Sequence, residues 1–478
     1  MPKRHLIWIA AIVATALVTV RVSRPPVPVG DTAGQELGPL AEVYRLIQDT
    51  SLLPAKEGNL IAGAAGGMAG AVDEYTTYIP NDKVDAFARR MQGRERGFGL
   101  KLEVIDGLAR VRRVIFDSPA YRAGLKAGDI VLGVDGNSLQ RLSPGGVEDL
   151  LWDGPAGQSL RLEILGGDDK PRTVAMERQE IPVESVQGLY RDASGRWVCT
   201  LDPNARLAYF RIREFVPRTA EEFQEAFRRV DGVGGVVLDL RGNPGGWLPA
   251  AVDVADLFLS QGTIVTVVSR TQPPRQYVAR PEGTYPANIP MVVLIDARTA
   301  SGAEIVAGAL GEGKRAALVG VRTRGKGYVQ SMVRLPGDLG QINLTTSECL
   351  LGEDIPISPR PGSEKWGIDP HLEVAADAAA WEPLAMLRAK AELPCVSPVD
   401  TPSERGTPPA TTTAAAPLGM ADSLLAVDVQ LARAVELLKS PEELGELLRG
   451  RPGQGDQASD QAGGGSSRAT APRPASKK

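Results

Sequence analysis

The chain has 478 residues, 43% of them hydrophobic and 23% charged, an ordinary globular composition that excludes disorder throughout. Its 54 basic and 58 acidic side chains leave a net charge of −4, which removes any whole-chain electrostatic case for nucleic-acid binding. Three cysteines (Cys199, Cys349, Cys395) show no metal spacing, and His371 is the only imidazole beyond His5, so a metal centre and a disulfide framework are not expected.

In chain order, Lys3, Arg4 and His5 precede an apolar run over 6–20 that Arg21 closes. The run is shorter than the roughly 20 residues of a comfortable membrane span and suits the apolar region of an export signal. Residues 1–24 are read as a signal peptide or signal anchor, with a buried N-terminal helix as the alternative. The favoured form makes the chain extracytoplasmic, in a periplasm or cell envelope, tethered by 6–20 if the leader is kept. Residues 25–95 open with the stiff linker Pro25-Pro26-Val27-Pro28. They continue with helical spacing at Leu40, Val43, Tyr44 and Ile47 and an Ala/Gly-rich helix over 60–72.

From 96 to 181 the pattern is short strands, at 99–105, 109–114, 130–134 and 160–165, with Asp135-Gly136 as a turn signal. From 182 to 394 strands and helices alternate. Strands are predicted at 207–212, 233–240, 264–269, 291–295 and 317–321, and helices at 219–230, 248–259 and 303–310. This indicates a layered α/β domain. Thr219, with Glu222 three residues on, predicts a capping box. Residues 395–420 collapse into Pro, Thr, Ser and Ala, a disordered linker. A C-terminal helix is predicted over 421–449 (Leu424, Leu425, Leu431, Val435, Leu438), followed by a disordered tail over 450–478.

Three segments can carry chemistry. In Asp296-Ala-Arg-Thr-Ala-Ser301-Gly-Ala-Glu-Ile305 a buried strand turns into a helix with Ser301 at its N-terminus. Open α/β sheets place ligands there, and the helix dipole favours a developing anion. Taken alone, Ser301 reads first as an N-cap. A serine nucleophile needs a base, and with imidazoles so scarce the search turns to Lys326, in Thr323-Arg-Gly-Lys326-Gly-Tyr-Val-Gln330. A lysine serves as base only if burial lowers its pKa; otherwise this is a surface lysine in a glycine turn. Gln330, four residues on, falls on the same face at either period. Third, Asp239-Leu-Arg-Gly-Asn-Pro-Gly245-Gly246 is a strand followed by a glycine turn, without the phosphate-loop ending. Its backbone N–H groups would suit an oxyanion hole, or it is simply a connection.

Together these segments resemble the C-terminal processing peptidases (tail-specific proteases), Ser–Lys serine endopeptidases. Thr299-Ala-Ser-Gly-Ala-Glu-Ile305 is similar to the family's S-A-S-A-S-E-I, with Gly302 and Ala303 where Ala and Ser are usual. Asp239–Gly246 resembles D-L-R-x-N-P-G-G. Arg96-Gly-Phe-Gly-Leu100 and Ser118-Pro-Ala-Tyr-Arg-Ala-Gly-Leu-Lys-Ala-Gly-Asp-Ile130 resemble a PDZ domain's carboxylate loop and core motif.

The resemblance implies a multidomain α/β and α+β chain. It would comprise an N-terminal helical segment, a PDZ domain (a small β barrel with helices) over 96–181, and a layered protease core over 182–394. It makes Ser301 the nucleophile, Lys326 the general base and Gln330 its orienting partner, with no cofactor. Gly245, Gly246 and Gly302 would supply the oxyanion hole, and Gly97, Phe98, Gly99 and Leu100 would bind a substrate tail, Phe98 and Leu100 giving it an apolar lining. The partners implied are unstructured or misfolded proteins held by their C-termini, with a homo-oligomer or an adaptor as further options. A catalytically inactive tail-binding scaffold is the alternative. An esterase is disfavoured, since no G-x-S-x-G elbow surrounds Ser301.

Overall fold

The computed structural model describes residues 36–53, 55–105, 107–139, 154–167, 170–376, 378–394 and 419–450. The expected leader over 1–24, the Pro-rich linker, most of 395–420 and the tail beyond 450 lie outside them. Two compact units are distinguished, Met1–Tyr78 and Ile79–Lys478. The first holds helices α1 (Gly38–Thr50) and α2 (Glu57–Gly70), on which Leu40, Val43 and Leu46 are exposed.

The second unit opens with α3 (Asn81–Met91) and β1 (Arg94–Gly97), followed by β2 (Leu100–Ile105), β3 (Leu108–Val114), β4 (Ile130–Val134), β5 (Ser159–Leu165), β6 (Pro171–Glu177) and β7 (Gln179–Pro182). Strands β2 to β6 form an antiparallel sheet in sequence order, while β1 pairs with β7. Alternation sends Leu160, Leu162 and Ile164 of β5 into the core with Val111 and Leu100. Asp135 and Gly136 both take positive φ, 49° and 79°, the geometry that closes a two-residue hairpin. Among the described residues β2 has one ladder neighbour, so its outer edge is open.

Further strands that frame the site are β8 (Leu207–Ile212), β9 (Gly235–Asp239), β10 (Thr263–Ser269), β11 (Arg275–Val278), β12 (Met291–Ile295), β13 (Ala317–Gly320), β14 (Tyr328–Arg334), β15 (Gln341–Leu351) and β16 (Leu372–Glu373). Helices α4 (Thr219–Arg228), α5 (Leu248–Asp256), α6 (Gly302–Glu312), α7 (Trp381–Ala391), α8 (Met420–Val427), α9 (Val429–Lys439) and α10 (Pro441–Arg449) lie between and after them.

A parallel sheet runs β8–β9–β12–β13–β16. One face packs Phe210, Leu238 and Val293 against Phe223 of α4, Ala251 of α5 and Val306 of α6. The other packs Tyr209, Val237 and Val292 against Leu424, Leu431 and Leu438 of the C-terminal helices. Burial on both faces explains why these strands read as unbroken apolar runs. In a second sheet β15 pairs first with β14 and then with β10.

Two local expectations fail. The helix over 421–449 is three helices, because Asp428 closes α8 with its N–H to Leu424 O and caps α9 with its side chain, and Pro441 opens α10. The Thr219 capping box does not form. Arg218 holds the cap position, Thr219 Oγ1 accepts from Val216 N–H, and Glu222 accepts from Ser185 N–H, Ser185 Oγ–H and Val186 N–H instead.

Candidate active site

The turns that follow β9 and β12 are bound to each other. Asp296 at the end of β12 accepts the N–H groups of Gly242 (2.9 Å) and Thr299 (2.9 Å). Thr299 Oγ1 donates to the Leu240 carbonyl at 3.0 Å, and Ala300 N–H to that of Asn243 at 2.9 Å. Asn243 is buried and spans its own turn, donating from Nδ2 to Ile212 O and accepting Gly245 N–H on Oδ1 at 2.8 Å. An asparagine whose side chain accepts the N–H two residues on stabilises the turn as an Asx-turn.

Ser301 emerges half-buried from this knot with φ 55° and ψ −119°, immediately before α6. A serine at positive φ stores roughly 1–3 kcal/mol of strain. The same device, a strained strand-to-helix turn, presents the serine of nucleophile elbows. Gly245 packs directly against it: a Cβ there would lie 2.6 Å from that of Ser301.

The expected oxyanion donors separate. Gly245 departs from expectation, since its N–H is spent on Asn243. Gly246 bridges in parallel to Phe215, whose N–H and carbonyl bond Gly245 O and Trp247 N–H. In a parallel bridge the intervening residue turns its own N–H to the other side. That N–H, and that of Gly302 at the first position of α6, donate to no acceptor among the described residues.

Lys326 is half-buried two residues before β14, on which Gln330 faces Thr345 and donates from Nε2 to its hydroxyl at 3.2 Å. What joins the lysine turn to the serine is Glu304. This fully buried carboxylate accepts Ser301 N–H at 2.7 Å and Lys326 N–H at 2.8 Å on one oxygen. The other oxygen accepts Thr323 Oγ1–H at 2.5 Å and Gly325 N–H at 2.6 Å. Burial pushes its carboxyl up from the ordinary value, and these donors pull against that. Sequence reasoning passed over Glu304; its signal was the Ser-x-x-Glu spacing at a helix start.

His371 is engaged elsewhere. Its Nδ1 accepts Leu318 N–H at 3.0 Å and burial lowers its pKa, so the neutral ring carries its proton on Nε2. Asp239 and Arg241 flank the glycine turn in an ionic cluster. Burial alone would raise the Asp239 carboxyl, but Arg241, Arg388 and Arg211 hold it far below the usual carboxylate range.

In the sheet of β2 to β6 the predicted tail loop is pinned. Phe98 O accepts Ala120 N–H at 2.8 Å and Gly99 O accepts Ile115 N–H at 2.7 Å. Gly99 has φ 76°, and a Cβ on it would fall 2.1 Å from that of Ser118. The side chains of Phe98 and Leu100, 1% exposed, belong to the core of this sheet rather than to an apolar tail lining.

Residues 206–374 match the family model for peptidase family S41, and residues 110–166 that for the PDZ domain. A carboxyl-terminal-processing protease of Picosynechococcus sp. is 32% identical over 302 residues, which span 61% of this chain and 69% of that protein. The chain belongs to the carboxyl-terminal-processing proteases of peptidase family S41. A second relative, the carboxy-terminal-processing protease of Bartonella bacilliformis, is 29% identical over 354 residues, 73% of this chain and 78% of that one. Among solved structures, a photosystem II D1 C-terminal processing protease is 28% identical, with 72% of this chain and 87% of that chain covered at a TM-score of 0.43. The protein is thus a serine-type processing peptidase with a PDZ domain.

Proposed function

We propose that the peptidase cleaves through a Ser301–Lys326 dyad. The neutral amine of Lys326 takes the Ser301 hydroxyl proton as the oxygen attacks a peptide carbonyl, and then gives that proton to the leaving amine. Gln330, its amide nitrogen engaged by Thr345, offers its carbonyl oxygen to orient the lysine. The N–H groups of Gly246 and Gly302 receive the oxyanion, and water releases the acyl group. The observation that carries this reading is the joining of the Ser301 and Lys326 backbones on Glu304, while the single imidazole of the body is occupied at Leu318.

The PDZ domain selects the substrate. A peptide adds as a strand along the open edge of β2, and the loop 97–100 takes its carboxylate. Substrates are then unfolded or misfolded chains with an accessible C-terminus. The chain acts outside the cytoplasm, tethered by 6–20 if its leader is kept. The boundaries 96–181 and 182–394 are our division into PDZ domain and protease core.

Incubation with casein and with a C-terminally tailed, unfolded substrate tests the reading. Wild type degrades both and Ser301→Ala neither. Degradation by Ser301→Ala would dismiss the dyad, and a wild type that binds tails without cleaving them would leave the inactive scaffold.

A further inference from the structure

Glu304 has four partners, all of them donors: Ser301 N–H, Lys326 N–H, Gly325 N–H and Thr323 Oγ1–H. A carboxylate offers about four lone-pair directions, so its acceptor capacity is filled. Its place in the first turn of α6 sets its negative charge against the positive end of the helix dipole. The link extends outward through Thr323, whose Oγ1 also accepts Ile368 N–H at 2.7 Å.

We propose that Glu304 is a positioning residue of this peptidase: it fixes the serine turn relative to the lysine turn by binding both backbones, without touching the reacting atoms. The inference rests on the Ser301–Lys326 reading above. Three features carry it. The bond to Ser301 N–H is charge-assisted, about twice as strong as a neutral one, and it restrains a residue held at φ 55°. Lys326 lies between Gly325 and Gly327, which bring no side chains of their own to hold the turn, and Glu304 takes two consecutive N–H groups of it. Finally, committing Ser301 N–H to Glu304 leaves Gly302 N–H, the next amide along, for the substrate oxygen.

A group that merely filled space would be replaced harmlessly by its isostere. Glutamine is that isostere, but it must turn an NH2 toward two groups that are themselves donors. In Glu304→Gln the NH2 therefore faces either Ser301 N–H and Lys326 N–H or Gly325 N–H and Thr323 Oγ1–H, and that pair loses its acceptor. Displacements on the order of 1 Å at a reacting centre cost about 10²-fold.

The experiment compares wild type, Glu304→Gln, Thr323→Val, Ser301→Ala and Lys326→Met in casein hydrolysis, thermal melting and labelling by a fluorophosphonate. Glu304→Gln is expected to lose about 10²-fold in kcat with KM within about threefold, and to label slowly. Loss of a buried negative charge near Lys326 also moves the rising limb of kcat/KM, which reports deprotonation of the lysine, to lower pH, a change that a purely structural role would not produce. Thr323→Val keeps the carboxylate, removes one donor and is expected to lose about tenfold in kcat without a change in KM.

A folded Glu304→Gln enzyme with kcat within about threefold of wild type and an unmoved pH limb overturns the inference. Should Glu304→Gln fail to fold, Thr323→Val decides in the same way. Activity in Ser301→Ala or Lys326→Met would instead overturn the dyad. Inactivity of those two beside a fully active Glu304→Gln would remove only the role of Glu304.

Discussion

Arg241 and Asp428, 187 residues apart in the chain, meet as a two-pronged fork in which Nη1–Oδ1 and Nη2–Oδ2 are both 2.7 Å. Arg241 also binds Asp239 at 2.7 Å, and Gln430 Oε1 accepts from it at 2.9 Å. Arg241 stands one residue before the glycine turn of the site. Asp428 caps α9 by accepting Leu431 N–H. One carboxylate therefore ends a helix on one side of the sheet and braces the turn at its edge. Asp428→Ala leaves a buried guanidinium short of a partner, and breaking such a pair costs about 3–5 kcal/mol. Denaturant unfolding should show that loss, and casein hydrolysis should fall with it. A variant of unchanged stability would mean that the fork is idle.

Acid should weaken the fold through His371. Burial lowers its pKa below the ordinary 6.5, so the unfolded chain takes up a proton before the folded one does. The contribution is complete above about pH 6.5 and is lost as pH falls through the folded value. Asp428 acts in the same direction at lower pH: burial would raise it, but Arg241 holds it below the carboxylate range. His371→Gln should flatten the decline in melting temperature between about pH 7 and 5. It should leave the pH–rate profile intact, and a shifted rate profile would implicate the imidazole in catalysis.

The oxyanion donors need a test at the backbone. Gly246→Pro is unsuitable, because φ is 136° and a Cβ would lie 2.2 Å from Phe215 O. An ester in place of the Gly246 N–H, introduced with an α-hydroxy acid, keeps that geometry. A kcat loss of about 10²–10³ is expected, with KM nearly unchanged. Equal rates for ester and amide would show that this N–H carries no charge in the transition state.

Tail recognition predicts a dependence on the terminal carboxylate. Amidating a substrate's C-terminus should weaken binding at least about tenfold, since the charge-assisted bonds are the strong ones. Gly99→Ala should do the same by forcing the loop away from Ser118. Calorimetric titration of acid and amide peptides checks both, and equal affinities would remove the carboxylate from the recognition.

The layered core was largely legible from sequence, because strands buried on both faces leave runs such as Met291–Ile295 with no other stable home. Ser301 and Lys326 were legible as motif positions. Glu304 was not: in one dimension it is an acidic residue in a first helical turn, and only the fold delivers Gly325 and Lys326 to it. Glu222 shows the converse, a local capping signal overruled because the backbone amides of Ser185 and Val186 offered a better use of the carboxylate. The single helix expected over 421–449 failed for a local reason, since apolar spacing persists across Asp428 and Pro441 while the backbone turns at each.

The docking of α8 to α10 has a consequence in time. A ribosome completes the nucleophile turn, the lysine turn and both sheets well before it adds Asp428. Until that residue arrives, Arg241 faces an unfinished counter-charge and one side of the parallel sheet is only partly covered, with Val237 and Val292 awaiting Leu431 and Leu438. The last helices among the described residues thus supply both the outer counter-charge of Arg241 and the remaining cover of the sheet, so the brace of the glycine turn is among the final pieces of this fold to be synthesised.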